Sequence, residues 1–251
     1  MSDMPQIGLM LYTVREECGR DFEGVLRTVA GLGYDGVELF DLHGHDPRDV
    51  RRWLDEAQLV AAGRHARLEA LEGELPALVG ELAVLGTDRV AISWIDPESL
   101  SDPGAVRERI AAAARPARDG GLRPGFHNHW SELHPLDGGG TFLDLLRELP
   151  ADLLWLELDL GWVWQAGADP LDELRRTNGR CPLVHAKDYR SRDGRDDVPV
   201  GDGVVGYEQL LPAAVEAGAE WLVVEEDEVG DDPFGAVERS LQAVRRILAG
   251  S

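Results

Sequence analysis

The chain has 251 residues, 43% apolar and 29% charged, which is ordinary for a globular protein and the usual length of one α/β barrel. Lys plus Arg number 25 against 47 Asp plus Glu, a formal net charge of −22 that repels nucleic-acid phosphates and anionic lipid head groups and argues against both as partners. Cys18 and Cys181 lie far apart and outside any CxxC pattern, MSDMPQIG carries no basic-then-apolar leader, and no run approaches a membrane span, so neither disulfides nor export is expected and the cytoplasm is the expected compartment.

Short apolar runs alternate with amphipathic stretches along the whole chain. Ile7–Leu11 reads as the first strand, and Phe22–Leu32 as a helix stopped by Gly33. Gly36–Phe40 is the second strand and Pro47–Glu56 the second helix. Val60–His65 follows as the third strand, with one helical run from Leu68 to Leu85. Arg89–Ser93 precedes an Ala-rich helix over Ala105–Arg118. Arg123–His127 is the fifth strand, with a helix across Thr141–Leu149. Leu153–Leu158 is the sixth, followed by a short helix at Pro170–Arg176. Leu183–Ala186 precedes a helix at Tyr207–Ala217. Trp221–Glu225 is the eighth strand, and Pro233–Leu248 closes the chain.

Eight strand–helix repeats in this length predict a single (β/α)₈ TIM barrel domain over residues 1–251. The near-continuous apolar character of the strands fits a parallel sheet covered by helices. A doubly wound sheet would place a GxGxxG turn early. The first strand instead runs into LYTVREECGRD, and the glycines of Asp137–Gly140 lack the Lys-Ser/Thr of a phosphate loop. VGDGVVG reads as a turn before the seventh helix.

Polar residues gather where the strands end. Glu38 ends the second strand, His65 the third, Ser93-Trp94 the fourth and His127-Asn128-His129 the fifth. Glu157 and Asp159 end the sixth, His185 and Lys187 the seventh, and Glu225-Glu226-Asp227 the eighth. In a barrel these ends ring one mouth, where chemistry is done in this fold. So many charges together are costly unless a metal or substrate compensates. Asp159, His185 and Glu225 come from consecutive strands about 4.8 Å apart, so the three can meet on one ion, with His127 as a fourth neighbour. Carboxylate oxygen with imidazole nitrogen suits Mn, Co, Fe, Zn or, less well, Mg.

Each residue also has a plainer explanation. Asp159 could cap the next helix, His185 could be a bonded core histidine, and Glu225 could belong to a solvated acidic run. Lys187 could stabilise negative charge on a substrate or pair with Asp159 or Glu225. Trp94 and Trp162 suit a pocket wall, and Trp164 suits packing. The coincidence on successive strands favours the metal.

The motifs HNHWSELHPL, LELDLGWVWQAGADP, PLVHAKDY, VGDGVVGYEQLL and WLVVEEDE, with IGLMLYTVRE and GYDGVELF before them, occur in order along essentially the whole chain. Together they resemble the sugar phosphate isomerase/epimerase proteins of the xylose isomerase-like barrel superfamily. The resemblance implies one divalent metal held from strands five to eight. It matches Asp159, His185 and Glu225 to the ligands of strands six to eight. Where ketose epimerases carry a strand-five glutamate, this chain has His127. A two-glutamate acid/base pair is therefore replaced, with His127, His129 or Glu132 in place of one base.

The expected activity is isomerisation or epimerisation of a keto sugar or related polyol carbonyl compound through an enediolate. Glu225, His127 and Lys187 are the catalytic candidates. Glu38, His65, Trp94, His129, Glu132 and Trp162 are the candidate substrate contacts. The same start ends in elimination if a leaving group sits beside the carbanion, giving a lyase or dehydratase on an inosose or 3-keto-glycoside. A non-catalytic sugar-binding barrel is the rival outside enzymes, and multi-metal phosphodiester cleavage is disfavoured by the acidic charge. The expected partner is a small sugar-like molecule, and a homo-oligomer is compatible with the sequence.

Overall fold

The computed structural model describes residues 4–192, 194 and 196–250. Eight parallel strands close into a barrel, in the order β1 (Gln6–Met10), β2 (Gly36–Leu39), β3 (Val60–Ala66), β4 (Arg89–Ile92), β5 (Arg123–His127), β6 (Trp155–Asp159), β7 (Leu183–Ala186) and β10 (Trp221–Val224). Two short strands, β8 (Asp188–Tyr189) and β9 (Asp197–Val198), form a separate antiparallel ladder above the mouth. The helices are α1 (Arg15–Leu32), α2 (Pro47–Ala57), α3 (Leu68–Gly73), α4 (Leu75–Leu85), α5 (Pro103–Asp119), α6 (Phe142–Arg147), α7 (Leu160–Gln165), α8 (Pro170–Arg176), α9 (Tyr207–Glu216) and α10 (Pro233–Leu248). No helix is long and apolar enough to cross a membrane among the described residues.

The barrel encloses its own core, separate from the larger one between strands and helices. Met10, Ala62, Ala91, Trp155, Leu183, Trp221 and Val223 plug its lower interior. Two indoles fit there because facing positions are glycine. A Cβ on Gly125 would overlap the Trp155 ring, and one on Gly36 would meet both Trp221 and the Val60 carbonyl. With the lower half filled, polar side chains one step further along each strand point into the upper half. Register then brings them level: His127 pairs with Glu157, and Asp159 with His185.

Several boundaries differ from expectation for identifiable reasons. The first helix starts at Arg15, seven residues before Phe22, but breaks at Asp21 (φ −154°, ψ 80°). The Asp21 carboxylate accepts the Gly24 N–H at 2.9 Å, so the segment from Phe22 is capped as a helix of its own. The run Leu68–Leu85 is two helices parted at Glu74, ahead of Pro76. The sixth strand begins at Trp155 rather than Leu153 and extends to Asp159. The six-residue α7 was not expected.

Candidate metal centre

The upper barrel holds three imidazoles and four carboxylates in two tiers, all buried. In the lower tier, His65 Nε2 lies 2.6 Å from Glu157 Oε2 and 3.6 Å from Glu38 Oε2. His185 Nε2 lies 2.7 Å from Glu38 Oε2, and His127 Nδ1 lies 3.2 Å from Glu157 Oε2. In the upper tier, His185 Nδ1 lies 2.8 Å from Glu225 Oε2. His127, Asp159, His185 and Glu225 each offer a ligand atom, and these atoms lie within 4.8 Å of one another. His65, His127, Glu157 and His185 form a second such group. The side chains grouped from sequence positions 127, 159, 185 and 225 do meet in space.

Asp159 combines two of the roles weighed for it. Its Oδ1 accepts the Trp162 N–H at 2.9 Å and caps α7. Its Oδ2 is buried and accepts no hydrogen bond. An unsatisfied buried carboxylate oxygen is costly, so a cation belongs beside it. Lys187 Nζ supplies one at 3.3 Å, and also lies 3.3 Å from Glu225 Oε2 and 2.9 Å from Asp227 Oδ2. The Tyr207 hydroxyl fixes the Lys187 backbone by accepting its N–H at 2.7 Å and donating to its carbonyl at 2.8 Å.

The electrostatics divide the cluster. Burial, with His185 nearby, pushes His127 well below the ordinary imidazole range, which leaves it neutral. Burial and Lys187 push His129 down to about 3. Burial raises Asp159 to about 7 against the pull of Lys187, and burial with Glu38 raises Glu157 to about 7. Burial opposes the charge on Glu225, but Lys187 and His185 overcome it and hold this carboxyl well below its usual range. Burial likewise opposes the charge on His185, yet Glu157 and Glu38 hold it well above the usual value. Two imidazoles with two carboxylates are a donor set for a divalent transition ion. The fit is good, with Asp159 Oδ2 accepting no hydrogen bond and His127 neutral, and His185 would bind an ion through Nδ1 by giving up the proton it shares with Glu225. Glu38 would stand behind His185 as the carboxylate that fixes its ring and tautomer.

A cavity of about 940 Å³ opens above the cluster. His65, Trp94, His127, His129, Trp162 and Glu225 line it. Glu38 and Glu132, read from sequence as substrate contacts, do not. Glu38 is fully buried beneath His185. Glu132, also fully buried, accepts the His129 N–H and the Ser131 hydroxyl, each at 3.0 Å, and so braces His129. Lys187 is 1% exposed and committed to its three carboxylates, which is the ion-pair alternative with Asp227 added. Trp164 lies away from the mouth, stacked on Tyr189.

Sequence reading missed Asp197, Tyr12, Phe40 and Trp130 on the cavity wall, whereas Asp227, read from the end of the eighth strand, and Arg64, beside His65 at the end of the third, do stand there. Asp197 is carried over the mouth by the β8–β9 ladder, where its carboxylate accepts the backbone N–H groups of Asp227 and Glu228. The glycine-rich loop between the ladder and α9 is tied to Asp188, whose carboxylate accepts the N–H groups of Gly201, Gly203 and Val205.

These features define the class: a parallel α/β barrel whose C-terminal mouth holds a buried imidazole–carboxylate cluster able to coordinate a divalent metal. The chain belongs to the xylose isomerase-like TIM barrel family, whose model matches residues 26–247. It is 23% identical over 278 aligned positions to an inosose dehydratase of Lacticaseibacillus casei, covering 92% of this chain and 88% of that protein. Among solved structures, a sugar phosphate isomerase/epimerase from Parabacteroides distasonis superposes with TM-score 0.81 at 20% identity, over 96% of each chain. A probable 3-DHS dehydratase involved in petrobactin synthesis from Bacillus anthracis superposes with TM-score 0.77 at 15% identity, over 96% of this chain and 98% of that one. At these identities the structural likeness establishes the fold.

Proposed function

We propose that the chain is a divalent-metal-dependent isomerase or epimerase of a keto sugar or related polyol carbonyl compound, acting through an enediolate. The observation that carries this reading is the meeting of His127, Asp159, His185 and Glu225 under an open cavity. Bound there, a divalent ion would supply Lewis-acid stabilisation of the charge developing on the substrate oxygens. Glu225 is kept ionised by Lys187 and faces the cavity, so it takes the proton from the carbon beside the carbonyl. His129 lines the cavity and its backbone is braced by Glu132, so by position it is the group that stands in place of the missing strand-five glutamate as the second proton carrier. Trp94 and Trp162 offer apolar faces to the carbon–hydrogen side of a sugar.

A second reading is supported by two relatives bearing dehydratase names. The same proton abstraction, followed by loss of a group from the neighbouring carbon, makes the chain a lyase or dehydratase on an inosose or 3-keto-glycoside. The test is to incubate manganese-loaded protein with ketoses, inososes and 3-keto-glycosides in deuterated water. Deuterium entering beside the carbonyl, with every hydroxyl and substituent retained, supports isomerisation or epimerisation. Release of water or aglycone supports elimination. Absence of both across the panel contradicts an enzyme of either kind.

A further inference from the structure

Lys187 is the only lysine in the chain. Every other member of the 25 Lys plus Arg is an arginine. This one ammonium is buried at the metal cluster. A guanidinium is a flat fork that grips carboxylates in pairs. An ammonium is a compact charge on a flexible stem, with three donors that rotate. A chain that meets every other need with arginine keeps, at this position, the cation best able to change partners.

The surroundings divide what is fixed from what is free. The Tyr207 hydroxyl holds the Lys187 backbone at both its N–H and its carbonyl. Gly161 of α7 packs so closely on the same carbonyl that a Cβ there would overlap it. The side chain is less committed. Nζ donates to Asp227 Oδ2 at 2.9 Å. It lies 3.3 Å from Asp159 Oδ2 and 3.3 Å from Glu225 Oε2, as ion pairs, and Asp159 Oδ2 accepts no hydrogen bond from it. Asp227 is itself a fixed post, because Asp197 accepts its N–H and Arg15 donates to its carbonyl at 2.8 Å. The Trp162 ring centroid stands 4.8 Å from Nζ, within cation–π range. Asp227 and Trp162 both line the cavity.

Asp159 and Glu225 are also two of the four candidate ligands of the divalent ion. The ammonium and the ion therefore claim the same carboxylates. Two carboxylates balance one divalent ion. An ammonium left beside them is then surplus charge in a buried site, where like charges repel strongly. Asp227 becomes the carboxylate in need of a partner.

We propose that Lys187 is a placeholder cation. In the metal-free chain its ammonium neutralises Asp159 and Glu225. The divalent ion displaces it from both and takes over that neutralisation. The ammonium is then held by Asp227 and Trp162 at the cavity wall, where it presents donors to a substrate oxygen. Metal loading thus turns Lys187 from a structural ion pair into a substrate contact. The inference rests on the metal-dependent part of the reading above and holds whichever reaction follows.

A single lysine makes the test direct. Protein grown on nitrogen-15 lysine shows one side-chain ammonium signal by nuclear magnetic resonance. In metal-free protein its protons are expected to exchange slowly with water, as those of a buried group do. One equivalent of zinc, which is diamagnetic, is expected to shift the signal and to speed that exchange at least tenfold. Lys187→Met lacks the competitor and is expected to bind manganese at least tenfold more tightly than the natural chain, measured by calorimetry. Should K187M fail to fold, the exchange rates of the natural chain decide alone. Zinc bound with the signal and its exchange unchanged would overturn the inference and leave the metal centre standing. Equal or weaker manganese binding by folded K187M would also overturn it. Failure of zinc to bind at all would remove the metal centre and the placeholder together.

Discussion

Asp159 illustrates how one carboxylate meets two demands: Oδ1 closes the first turn of α7 and Oδ2 points, without a donor, into the cluster. Asp159→Asn keeps the capping oxygen and removes the charge, so it should lower manganese affinity at least tenfold while the far-ultraviolet circular dichroism stays native. Glu38→Gln should lower metal affinity about 10- to 100-fold without touching the ion, because Glu38 holds the far nitrogen of His185. Both are read in equilibrium metal titrations. Asp197 gives a pH prediction. Burial, with Asp227 adding to it against Lys187, raises this carboxyl from 3.8 to about 6. Between those values the folded chain keeps a proton the unfolded chain has lost, so stability falls as pH rises through this window and levels off above it. Asp197→Asn still accepts the Asp227 and Glu228 N–H groups and should stabilise metal-free protein by about 1–2 kcal/mol at pH 7.5 and little at pH 4. Denaturant melts at the two pH values check this. The metal-ligand candidates were legible because each stands at the end of an apolar strand, where parity and position fix its direction. Glu38 was misread as a substrate contact because sequence places a side chain on a strand end but not its depth below the cavity floor, and Glu132 because the short turn after β5 directs it onto the His129 N–H and the Ser131 hydroxyl instead.

At the scale of elements, the strand pattern was readable because each strand is buried on both sides and therefore almost uniformly apolar. α7 was missed because its six residues, LGWVWQ, carry no polar face to set a helical period. The β8–β9 ladder was missed because two-residue strands leave no pattern, although the ladder places Asp197 and the loop held by Asp188. Gly125 and Gly36 have a role visible only in three dimensions, which is to admit the Trp155 and Trp221 rings. Gly125→Ala should cost about 1–3 kcal/mol or more through overpacking of the barrel interior, seen as a lower denaturation midpoint at unchanged slope. An unchanged midpoint would show that the indole can move aside.

For the whole molecule, length, eightfold alternation and absence of a dinucleotide loop carried the fold, and the closed barrel follows them. What the sequence could not carry was the shape above the barrel: the reach of the cavity to residues of α3 and α4, and the concentration of part of the −22 charge around one opening. These arise from loops whose paths follow tertiary contacts rather than local pattern. A ligand that binds only the folded chain stabilises it by about 2.7 kcal/mol at a hundredfold excess over its Kd. Saturating manganese should therefore raise the melting temperature by roughly 5–10 °C, and chelation should reverse it.

The most direct measurement is a manganese titration followed by electron paramagnetic resonance, on the natural chain and on Asp159→Asn and His185→Ala. One ion bound per chain, with the affinity collapsing in both variants, is the expected result. No tight binding to the natural chain, or binding that survives both substitutions, would contradict the metal centre.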